Sequence, residues 1–271
     1  MSTIVTLINR FFTERFHDQS ALIAYYFMLA FFPFLIFAIS ITSFFPIHPK
    51  DILNAIEPFI PKASFNLIED NIMSMIGKKQ TRLASLSLLA GFWIASMAVQ
   101  AFVRSMNDVY KVVRKEGFFL ALGKDLLMTA GLMTTLTISL LVPIGEEIAR
   151  VFLVSHFELP NPFYRAWVIF KWGTGSLYLF FFFLLLYKII PSKKVSFLNA
   201  LPGAMFSTIG WQIVSFGFSY YVTYFASYSM LYGYVANIIV LMIWFYFSAA
   251  VLLIGGLVNV SWIERKAEGG V

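Results

Sequence analysis

Between Val195 and Ile263 the chain runs for 69 residues without a single Asp, Glu, Lys, Arg or His. A soluble domain cannot keep that length off its surface, because its exterior needs charged groups. A bilayer accepts it, since about 20 apolar residues of helix cross roughly 30 Å of hydrocarbon. The stretch is long enough for two crossings, joined by a hairpin at Tyr228-Ser229-Met230-Leu231-Tyr232-Gly233.

Four further apolar segments free of charge lie at 21–45, 83–103, 126–145 and 172–187. Transmembrane strands would alternate in segments of about ten residues, and these are solid runs. The predicted fold is therefore all-α: one polytopic domain over residues 1–271 with six transmembrane helices. Short amphipathic helices are expected beside it. Leu7, Ile8, Phe11, Phe12 and Phe16 repeat at helical spacing near the N-terminus, as an interfacial helix would. In the loop after the first span, Ile52, Leu53, Ile56, Phe59 and Ile60, then Phe65, Ile68, Ile72, Met75 and Ile76, form two more apolar stripes. Arg10 and Arg15 precede a first run that lacks a small-residue cleavage site, so that span reads as retained.

Six crossings place twelve of the twenty basic residues on the side of the termini, with half of the fourteen acids. The positive-inside rule then puts both termini in the cytoplasm. The formal charge of +6 is thus a topology signal and predicts no nucleic-acid partner. Membrane lipids are the expected partners, with anionic headgroups at the basic loops around Lys111, Arg114 and Lys115.

Catalytic types are scarce. There is no cysteine, which excludes thiolate metal sites and disulfides, and the three histidines, His17, His48 and His156, are far apart. HExxH, GxSxG, Walker A and dinucleotide-binding patterns are all missing. No enzyme, metal or cofactor is predicted.

The polar residues inside the spans carry the remaining information. In the sixth span Asn237, Trp244, Ser248, Gly255 and Asn259 fall on one side at 100° per residue. In the fifth, Gly203, Ser207, Gly210, Gly217 and Tyr221 share one side, and Thr208, Gln212, Ser215, Ser219 and Thr223 the other. Two polar faces predict a central helix. Small and hydroxyl residues let helices approach and bond across, and intramembrane polar clusters also mark substrate routes. Both readings stay open here. The candidate lining residues are Tyr25, Tyr26, Gln100, Arg104, Asn107, Gln212, Asn237 and Asn259, with Pro33, Pro202 and Gly203 as bending points.

Particular strings carry a likeness. Ala21-Leu22-Ile23-Ala24-Tyr25-Tyr26 with Phe32-Pro33-Phe34-Leu35 resembles the first-helix signature of the YihY/BrkB family of bacterial inner-membrane proteins. Trp93-Ile94-Ala95-Ser96 leading to Arg104-Ser105-Met106-Asn107-Asp108-Val109-Tyr110 is similar to its second-helix motif. Ala200-Leu201-Pro202-Gly203-Ala204, and Tyr232-Gly233 through Trp244 to Gly255-Gly256-Leu257-Val258-Asn259, resemble its fifth and sixth helices. The resemblance implies a six-helix bundle in the plasma membrane. It also implies a transporter or flippase-like activity on a lipid-like or envelope-related solute, with a structural, partner-binding protein as the alternative. Some members carry an old ribonuclease label, for which this sequence offers no acid–base pair.

Overall fold

A computed structural model describes residues 3–42, 81–156, 161–225 and 229–268, with side chains described over shorter stretches of the same helices. Every regular element among them is helical. A short α1 (Thr3–Thr13) precedes six long helices: α2 (Phe16–Thr42), α3 (Thr81–Val109), α4 (Phe118–His156), α5 (Asn161–Ile189), α6 (Phe197–Phe225) and α7 (Ser229–Glu268). The shortest of the six has 27 residues and so spans about 40 Å at 1.5 Å per residue. Among the described residues, three stretches are long and apolar enough to cross a membrane: Phe118–Ser139, Trp172–Ile189 and Ile238–Ala267.

The helices pack in the neighbour order α4, α3, α2, α7, α6, α5. The broadest contacts join α6 to α7, α2 to α3, α2 to α7 and α5 to α6, and α4 lies against α3. α2 runs unbroken through Pro33, against which α3 packs Gly91. A Cβ on Gly91 would overlap the proline ring.

α1 and α2 part at Arg15, whose φ of 59° takes the left-handed region that stops a helix. Leu7 and Phe11 of α1 turn into the core, while Ile8 and Phe12 stay exposed. Phe16, grouped by spacing with the first helix, instead opens α2.

α3 ends in a Schellman motif. Val112 N–H donates to Asn107 C=O at 2.9 Å and Lys111 N–H to Asp108 C=O at 3.0 Å, with Lys111 at φ 52°.

Two boundaries differ from the sequence expectation. Ser229 through Gly233 already belong to α7, because a lone glycine in an apolar helix costs only about 1 kcal/mol. α4 continues past Gly145 to His156. The two stripes expected after the first span lie outside the described residues.

Among the described residues the larger core cluster gathers at one end of the bundle, called here the basal end. It holds α1, the α3–α4 connection, the α5–α6 connection and the C-terminal part of α7. Phe16, Ile23, Met106, Val109, Tyr187, Ala204, Leu253 and Leu257 are buried there.

Candidate functional site

Two of the eight candidate lining residues, Asn107 and Asn259, make their hydrogen bonds at the basal end. Pro202 has no N–H for the carbonyl one turn back. The next amide, Gly203 N–H, donates across the interface to Asn259 Oδ1 of α7 at 2.7 Å. Asn259 is fully buried. The backbones touch here: a Cβ on Gly203 would overlap the Gly255 carbonyl oxygen, and one on Gly255 would overlap Ser207 Oγ and Tyr187 Oη.

Tyr187 of α5 completes the junction, its hydroxyl bonding Ser207 Oγ at 2.5 Å and donating to Leu252 C=O at 2.7 Å. By sequence Tyr187 looks like an interfacial anchor beside Lys188. It is in fact fully buried, and Lys188 stacks instead on the Phe197 ring with Nζ 3.3 Å from its centre.

Asn107 serves the same end differently. Its Nδ2 donates to Ser192 Oγ at 3.0 Å and its Oδ1 accepts from Ser192 N–H at 2.7 Å, tying α3 to the α5–α6 connection. Tyr110, just past α3, is buried close to Asn259, and that burial pushes its hydroxyl up to about 12. Gln19 Nε2 donates to Asp108 at 3.0 Å, and Arg114 grips Asp125 with two nitrogens at 2.9 and 3.0 Å. That pairing, above all the hydrogen bond to Asp125, raises Arg114 above its ordinary value. Gly256 faces Met106 and Val109, where a Cβ would come within 2.9 Å of Met106 Sδ.

Away from this end the α6–α7 seam loosens. Gly203, Gly210 and Gly217 are seven residues apart and follow nearly one line along α6. They act as a ruler. A Cβ on Gly210 would stand 2.9 Å from Val251 Cγ1, and on Gly217 it would meet nothing within 4 Å among the described residues. Tyr221 sits five full turns beyond Gly203 at the same helix angle, yet it is 46% exposed where Gly203 is buried.

Half-buried polar groups flank this stretch of α6, Gln212 on the face toward α5 and Ser215 toward α7. Gln212 Nε2 donates to Ser176 Oγ of α5 at 2.7 Å, and Trp244 Nε1 to Ser215 Oγ at 3.3 Å. Tyr178 Oη donates to Thr135 C=O at 2.8 Å, linking α5 to α4. Trp211, Trp244 and Phe218 stack as an aromatic wall, with ring centres 5.9 and 5.8 Å apart.

The other candidates scatter. Tyr25 is 49% exposed whereas Tyr26 packs on the core, although their rings touch at 5.4 Å. Gln100 stays within α3, 3.4 Å from Ser96 Oγ, and Arg104 is exposed. Asn237 belongs to α7, and its side chain lies outside the described residues. Ser176 and Ser192 carry no signal of their own in the sequence, since each matters only through its partner. Among the described residues no three His, Asp or Glu side chains come together as a metal site would need.

The family profile described as Virulence factor BrkB matches residues 7–270. A Bacillus subtilis protein named as the ribonuclease-like protein YfkH is 38% identical over 98% of this chain and 97% of its own. A UPF0761 membrane protein of Pseudoalteromonas translucida is 27% identical over 92% of this chain and 81% of its own. Another from Aliivibrio fischeri is 28% identical over 100% and 88%. No solved structure matches.

Proposed function

The chain belongs to the BrkB family of membrane proteins, and from that premise we propose that it is a carrier moving an amphiphilic, lipid-like or envelope-related solute across or within the bacterial plasma membrane. In this reading all six long helices cross the bilayer, and the basal end with both termini faces the cytoplasm. The observation that carries it is the change along one interface. α6 and α7 lock by backbone and side chain at Gly203–Asn259, whereas toward Gly217, where a Cβ would meet nothing within 4 Å among the described residues, side chains bridge them, Trp244 to Ser215 and to the Trp211 and Phe218 rings. Read as a cleft closed at one end, such a seam, walled by aromatics and bearing a few polar groups, suits a molecule with an apolar tail and a polar linkage. The reading assigns the protein no bond-breaking chemistry.

The test is movement of fluorescent phosphatidylglycerol between leaflets of proteoliposomes, followed by chemical quenching of the outer leaflet. Gly217→Phe fills open space without touching the locked end, so it should fold as the parent does and slow lipid movement several-fold. Gln212→Leu should slow it as well. Parent-like rates in both, in normally folded protein, remove the carrier reading.

A structural, partner-binding role draws on the basal half, where polar groups are mated to each other. That role predicts no lipid movement above protein-free vesicles.

A further inference from the structure

Residues 111–117, between α3 and α4, alternate strictly in exposure. Lys111, Val113, Lys115 and Gly117 face outward, and Val112, Arg114 and Glu116 turn inward. The inward set is tied down. Val112 packs on the core, Arg114 donates to the Ala121 carbonyl at 3.0 Å as well as to Asp125, and Glu116 is held by Arg114 and Lys124. The strap is therefore fixed in register, and its outward face is built by the fold.

That face mixes two chemistries. Val113 and Phe119 are the most exposed large apolar side chains among the described residues, at 83% and 86%. Phe118 and Leu120, beside Phe119 at the start of α4, are exposed too. Lys111 and Lys115 stand on either side of Val113 in this exposed register. The apolar stretch Phe118–Ser139 begins at the same point, so this corner lies where a membrane surface meets the bundle. Water would leave a Val-Phe-Phe-Leu cluster exposed at considerable cost. A lipid surface takes up the apolar prongs and presents phosphates to the lysines.

We propose that the outward face of residues 111–120 is a docking site for anionic phospholipid. Val113, Phe118, Phe119 and Leu120 enter the acyl–headgroup boundary, and Lys111 and Lys115 pair with the phosphates. The charge balance favours this occupant over a protein. Arg114 is spent on Asp125, and Glu116 is covered by Lys124, which leaves only cations facing out. The site is independent of whether the protein moves a substrate.

The natural absence of cysteine allows a clean test on the full chain. Nitroxide labels on Val113→Cys and Phe119→Cys, in proteoliposomes of equimolar phosphatidylcholine and phosphatidylglycerol, should collide with oxygen more often than with a water-soluble nickel chelate. In native mass spectrometry the parent should retain phosphatidylglycerol over phosphatidylcholine. That preference should fall about fivefold for each of Lys111→Gln and Lys115→Gln, and fade at high salt. Both lysines are exposed, so the double variant should keep the parent's thermal midpoint, which separates lost binding from lost folding. Labels that meet nickel first would mark a water-facing or protein-docking surface and overturn the proposal. So would an unchanged lipid preference in the double variant.

Discussion

The two ends of the α6–α7 interface are made from the same materials and behave differently. At the basal end glycine, serine and asparagine bring backbones into contact, and the buried Gly203 amide and Asn259 Oδ1 satisfy each other. Toward Gly217 the same small-residue spacing continues, yet a Cβ there would meet nothing within 4 Å among the described residues, and Trp244 bridges to Ser215 by side chain instead. Small residues therefore permit close packing without imposing it. What fixes the closed end is a polar atom with one correct partner, because an unpaired buried amide costs about 1–3 kcal/mol.

The largest effect should come from making the two ends alike. Gly203→Ala sets a methyl against the Gly255 carbonyl, where neither backbone can yield, and should cost about 3 kcal/mol or more. Gly217→Ala meets nothing within 4 Å among the described residues and should gain up to about 1 kcal/mol of helix propensity. Thermal unfolding of both in one detergent reads the contrast, and equal losses would erase it.

Asn259→Leu comes next. It strands the buried Gly203 N–H and should cost about 1–3 kcal/mol, against about 1 kcal/mol or less for Gln212→Leu in the half-buried region. Chemical or thermal denaturation of the pair ranks them, and the reverse order would move the lock to the far end.

Asn107→Ala removes both bonds to Ser192 and should lower stability by about 1–2 kcal/mol. Faster hydrogen exchange should be confined to residues 190–196.

The smallest effect is a titration. The hydrogen bond from Lys124, and then Arg114, holds the Glu116 carboxyl below its usual value. A depressed carboxylate stabilises the fold above its unfolded value of about 4.3 and stops doing so as pH falls through the lower folded value. Melting curves of Glu116→Gln and the parent should differ slightly at neutral pH and converge in acid.

Helices were legible because bulk apolarity and length are properties of one segment. So was the inward phase of α7, since Trp244, Ser248, Gly255 and Asn259 share an angle whatever they touch. The two polar faces of α6 meet two neighbours, α5 through Gln212 and α7 through Gly203, but the expectation of a central helix fails, since α2 and α7 each touch more helices than α6 does. Partnership was not legible. Nothing local tells that Tyr187 is buried on Ser207 while Tyr25 faces out, because each outcome depends on a helix distant in sequence. Nor does the heptad of glycines disclose where its seam parts, since every member looks the same along the chain. The turn before α7 was misplaced because Gly233 reads as a breaker in water and is tolerated inside an apolar helix.

Disulfide trapping tests the half-closed seam most directly. An ideal Cβ on Gly210 lies 3.9 Å from Val251 Cβ, within the separation a disulfide needs. Gly210→Cys with Val251→Cys should close on mild oxidation in native membranes. Gly217→Cys with Trp244→Cys, one heptad along the same seam, should stay reduced. Equal and rapid closure of both pairs would show a seam shut along its whole length and contradict the account.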